Sequence, residues 1–127
     1  MKQFFTKYLL AVVIASQILL CLVAFLDYRM YPDGIIFSNV GDGLKNYFTL
    51  LSYVKEQAPE SNYFSHHAFN YPFGEYIYSA DLTPSFAVPF KWFCNNVYDL
   101  SDHTLAWYNL FIIACIVICA AVTYVFF

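Results

Sequence analysis

LAWYNLFIIACIVICAAVTYVFF, residues 105–127, is a run of 23 residues without a charge. A helix needs about 20 predominantly apolar residues to cross the hydrocarbon core of a bilayer, so this run reads as a membrane span. Its start carries the expected signals. Ser101 is a candidate N-cap, Asp102 then falls in the first turn where the helix dipole favours an anion, and Trp107 and Tyr108 lie where an interfacial aromatic belt forms.

Working outward, Tyr8 to Leu26 is a second apolar run of 19 residues, interrupted only by Ser16 and Gln17. As one helix it reaches about 28 Å. A cleaved signal peptide is the rival reading. The run is longer than a usual signal core, and no small-x-small cleavage site follows it. A lipoprotein site at Cys21 is disfavoured by the bulky Leu20 before it. Lys2 and Lys7 precede the run, and basic flanks favour the cytoplasmic side. The expected topology is a cytoplasmic N-terminus (1–7), a first span (8–26), an extracytoplasmic loop (27–104) and a second span (105–127). The chain stops at Phe126-Phe127 without a polar flank, so we read it as the start of a longer multi-span protein.

Composition agrees. Hydrophobic residues make up 61% of the chain, aromatic residues 22% and charged residues only 12%, about half the usual charged share. All nine acidic residues lie between the two apolar runs, the net charge is -3, and no basic patch is present; nucleic acid is not an expected partner. Cys21, Cys115 and Cys119 lie within apolar runs and Cys94 has no cysteine partner in the loop, so no disulfide framework is expected.

The loop is too rich in Tyr, Phe and Trp to be a linker. Tyr31-Pro32-Asp33-Gly34 is a turn signal. Leu44, Tyr47, Phe48, Leu51 and Val54 recur at helical spacing, which predicts an amphipathic helix over about 42–57, limited by Pro59. Thr83-Pro84 predicts another helix over 83–95, Pro84 at its first position and Pro89 bending it or dividing it into short turns. Between them, Asn70-Tyr71-Pro72-Phe73-Gly74-Glu75 reads as a turn rather than a regular element. The fold class expected is an all-α membrane protein whose loop helices lie along the membrane.

Asp42 is the strongest candidate for chemistry. It stands between Gly41 and Gly43, which permit close approach, and a carboxylate there suits a general base or a metal ligand. The plain alternative is a helix N-cap. His66 and His67 suit phosphate or metal, although adjacent side chains point apart. Glu75 and Asp81 are candidate partner carboxylates, with Asp81 a second possible metal ligand. Tyr71, Tyr76, Tyr78 and Trp92 could stack on a sugar or anchor at the interface.

Gly41-Asp42-Gly43-Leu44-Lys45-Asn46-Tyr47-Phe48, opening an amphipathic helix soon after a first membrane helix, resembles the start of the first large loop in the GT-C class of membrane glycosyltransferases. Asn70–Glu75 and Asp81-Leu82-Thr83-Pro84 are similar to segments of bacterial proteins of this type. The resemblance implies a bacterial inner-membrane, multi-pass enzyme that takes a sugar from a polyprenyl-phosphate donor. The acceptor would be an extracytoplasmic glycan, lipid or protein. Asp42 would deprotonate the acceptor hydroxyl, and His66 or His67 would steady the donor phosphate. The adjacent pair of acids usual in the class is absent at Asp42, which leaves a divalent metal an open expectation. The alternative function is a non-catalytic transporter, flippase or envelope-assembly subunit.

Overall fold

A computed structural model describes residues 2–37, 41–56, 62–67, 73–77 and 83–126. The chain is mostly helical. In order it forms α1 (Lys2–Ala24), α2 (Leu26–Met30), α3 (Gly41–Lys55), β1 (Ser65–His66), β2 (Glu75–Tyr76), α4 (Pro84–Asn96), a 3-10 turn (Ser101–His103) and α5 (Thr104–Phe126). The continuous helical stretch Ser101–Phe126 is long and apolar enough to cross a membrane, and almost none of it is buried within the chain. It is therefore not the core helix of a soluble domain formed by this chain.

The first apolar run is not one helix to Leu26. It breaks at Phe25, whose backbone (φ -109°, ψ 37°) leaves the helical region, and the apolar part of α1 covers Tyr8–Ala24. The cause is aromatic packing from the following loop. The ring of Phe25 stacks on Phe37 with centroids 4.7 Å apart, and Tyr28 meets Phe37 edge-on at 5.7 Å. The hydroxyl of Tyr28 donates to the Ala106 carbonyl at 2.8 Å, tying α2 to the start of α5. α1 runs alongside α5.

α3 and α4 pack together over the beginning of α5. Their shared core contains Leu50, Tyr53 and Val54 from α3, Ala87, Phe90 and Cys94 from α4, and Ile77 just after β2. The buried face of α3 is rotated from the stripe read in the sequence. Tyr47, Leu50, Tyr53 and Val54 are buried, while Phe48 is 60% exposed. Tyrosine goes inward here because each hydroxyl finds a partner: Tyr47 donates to the Asn109 side chain and Tyr53 to the Tyr63 carbonyl. A buried hydroxyl with a partner no longer carries its desolvation penalty.

Asn109, fully buried within α5, also donates from Nδ2 to the Ile35 carbonyl at 2.7 Å. This amide therefore fastens the loop after α2, helix α3 and helix α5 at one point. Pro89 lies within α4 without dividing it. Only one helical acceptor position, four residues back, loses its donor, and the apolar face of α4 stays packed.

Three local expectations are corrected. Ser101 does not act as a side-chain N-cap; it begins the 3-10 turn, and its N–H donates to the Asp99 carboxylate at 2.9 Å. Thr83 precedes Pro84 but makes no capping bond; its φ of 48° is left-handed, and its hydroxyl pairs with Tyr108 at 3.3 Å. The segment after α3 is not turn alone. Ser65 pairs with Tyr76 and His66 with Glu75 in a short antiparallel ladder, so the chain is not wholly α.

Candidate functional site

Asp42 sits in the first turn of α3. Gly41 opens that helix with φ +61°, a conformation that favours glycine. Asp42 is exposed, and among the described residues its carboxylate has no hydrogen bond or ion pair. It stands at a helix N-terminus with its side chain exposed. The helix beyond it is held firmly, because its later turns carry the core residues Leu50, Tyr53 and Val54.

His66 and His67 are at the other end of the same helix. Both reach Glu56, the residue after α3. The Nδ1–H of His66 donates to one carboxylate oxygen of Glu56; the backbone N–H of His67 donates to the other at 3.0 Å, and its ring Nδ1 lies 3.1 Å from it. The two rings do not diverge as adjacent positions suggest, since both meet the Glu56 carboxylate, but their exposure differs: His66 is 1% exposed, whereas His67 is largely in solvent. Gly74 makes room for them. A Cβ there would stand 3.2 Å from the His67 ring and 3.3 Å from the His66 carbonyl, and its φ is +70°.

Beneath this clasp lies Lys91, only 1% exposed, with its ammonium 4.2 Å from the centroid of the Tyr53 ring. The Tyr53 ring also meets His66 edge-on at 5.7 Å. The titrations follow from these contacts. Burial pushes the Glu56 carboxyl up, but the His66 hydrogen bond, the His67 N–H and the nearby Lys91 ammonium outweigh it, leaving it below the usual range. Burial pushes the Lys91 ammonium down, and Glu56 only partly restores it. Burial, with Tyr63 and Glu56 nearby, pushes the Tyr53 hydroxyl up, so it remains a donor.

The structure therefore does not bring Asp42 and the histidines together. From Asp42 to Glu56 the helix rises about 21 Å. His66 is walled in and cannot touch a substrate unless the hairpin moves. The Glu56–His66–Lys91 group joins α3, the hairpin and α4. Glu56 and Lys91 were not singled out by sequence reasoning. Both read as ordinary surface charges on their helices, and no spacing rule marks their meeting.

Of the other candidates, Glu75 occupies β2 opposite His66. Tyr71, Tyr78 and Asp81 lie outside the described residues. Trp92 is half-exposed on α4, beside the buried Lys91, and Tyr76 is exposed on β2. Among the described residues no three His, Cys, Asp or Glu side chains gather as metal ligands. Asp42 does not form a metal donor set with other described residues. All four cysteines are free thiols. No protein-family model, curated protein or solved structure matches this chain.

Proposed function

We propose that this chain belongs to an integral membrane glycosyltransferase that moves a sugar from a polyprenyl-phosphate donor to an extracytoplasmic acceptor. The observation that carries the reading is Asp42: a solvent-facing carboxylate with no partner among the described residues, in the first turn of a helix whose later turns are locked into a core. A structural N-cap would spend its oxygens on backbone amides. Asp42 keeps its lone pairs for another molecule. In the transfer it accepts the proton of the acceptor hydroxyl as that oxygen attacks the anomeric carbon and the lipid phosphate departs.

α1 and α5 act together as the anchor, with the N-terminus cytoplasmic and the α3–α4 unit on the outer face. The apolar part of α1, Tyr8–Ala24, covers about 26 Å as a helix. That is slightly short of a bilayer core, a mismatch that local thinning accommodates at modest cost. His66 and His67 have no part in the phosphate site of this proposal; Glu56 already engages both.

The test is sugar transfer by membranes carrying the full-length protein with Asp42→Asn. Transfer should fall by about 100-fold or more, the scale of a lost general base, with insertion unchanged. Undiminished transfer by the inserted variant rejects Asp42 as the base. The half-exposed Trp92 supports a second reading, a non-catalytic glycan-binding or envelope-assembly subunit. In that case Trp92→Ala would abolish function and Asp42→Asn would be mild.

A further inference from the structure

A cation lies at an apolar groove between the first and last helices. Ile18, Cys21, Leu22 and Phe25 lie on one face of the first helix at i, i+3, i+4 and i+7. Leu110, Ile113 and Val117 form the facing stripe of α5. Between them is a partly open hollow of about 220 Å³ whose lining is almost wholly apolar, with Arg29 among the residues that border it. Arg29 continues the same spacing, four residues after Phe25 and seven after Leu22, and so falls on the groove's side. The Tyr28 hydroxyl, bonded to the Ala106 carbonyl, and the Phe25–Phe37 stack hold α2 against α5.

Arg29 has no carboxylate partner among the described residues. The nearby acid Asp33 is engaged by His103 at 2.8 Å. An exposed guanidinium with no carboxylate partner among the described residues, beside a slot whose lining is almost wholly apolar, is complementary to an amphiphile with an anionic phosphate at one end and a hydrocarbon chain at the other. We infer that the α1–α5 groove binds an anionic phospholipid of the bilayer, its acyl chain between the two helices and its headgroup phosphate on Arg29. The inference rests on the two-helix anchor proposed above, but not on sugar transfer.

The experiment uses the full-length protein extracted in neutral detergent. Phosphatidylglycerol and phosphatidylcholine with identical acyl chains are titrated in, and bound lipid is counted by native mass spectrometry. Phosphatidylglycerol should bind about fivefold more tightly, the scale of one basic side chain against an anionic lipid surface. Arg29→Gln should remove that preference, and Ile113→Trp, which fills the hollow, should weaken both lipids. Equal binding of the two lipids to the unaltered protein overturns the inference. So does a preference that survives Arg29→Gln, a surface change that leaves the packing intact. Asp42→Asn should leave lipid binding unchanged, so failure of the transferase reading remains separable. Recovery of the protein from membranes without detergent would overturn the anchor itself.

Discussion

Glu56 holds three donors with two oxygens, and this makes the hairpin's attachment to α3 depend on pH. The sign follows from its depressed carboxyl. The folded value lies below the unfolded one, about 4.3, so the stabilisation is complete above the unfolded value. It is lost as pH falls through the lower folded value. Amide exchange at His67 and Ile77, the latter bonded to the Phe64 carbonyl at 2.9 Å, should show constant protection from neutral pH to about 5. It should then fall steeply below about pH 4. Glu56→Gln should lower protection already at pH 7; equal protection in that variant would show that the clasp does not fasten the hairpin. Asp42 was legible in the sequence because the signals around it are local: two glycines and the start of a periodic stripe. Glu56 and Lys91 were not, because their meaning comes from partners on other elements, and a lone charge on a helix resembles any solvated one.

At the scale of elements, periodicity located the loop helices, but packing chose their faces. The stripe Leu44, Tyr47, Phe48, Leu51 and Val54 is met in part. Tyr47 and Val54 are buried, but Leu50 and Tyr53 join them while Phe48 is left outside, since Tyr47 and Tyr53 find acceptors for their hydroxyls. The break at Phe25 was likewise invisible, because its cause, Phe37, lies in the following loop. A two-residue ladder gives too little alternation to be read at all. Two substitutions measure these contacts. Leu50→Ala, in the α3–α4 core, should cost about 2–5 kcal/mol. Asn109→Ala removes the acceptor of the Tyr47 O–H, which still accepts from the Phe37 N–H, and the donor to the Ile35 carbonyl, and should cost about 1–3 kcal/mol. Thermal unfolding in detergent reads both, and a change below about 0.5 kcal/mol in either would mean that the contact is not formed. The exposed Lys55–Asp102 pair at 2.8 Å should be worth at most about 1 kcal/mol, measurable by a double-mutant cycle.

For the molecule as a whole, α5 is the axis. Its apolar length can cross a membrane, α1 lies against it, and its first turns are gripped by α2, α3 and α4 through Ala106, Asn109 and Tyr108. Hydropathy made the long apolar helix legible. The way the loop folds back on that helix was not, since it depends on buried polar pairs far apart in sequence. The proposed function requires the α3–α4 unit to stand on the outer face with Asp42 in water. The most direct measurement is therefore accessibility of that one position in intact cells. In the full-length protein, with Cys21, Cys94, Cys115 and Cys119 replaced by Ala, Asp42→Cys is treated with a membrane-impermeant maleimide. The account predicts rapid labelling from outside without permeabilisation. Labelling only after the membrane is opened would place Asp42 on the cytoplasmic side and contradict it.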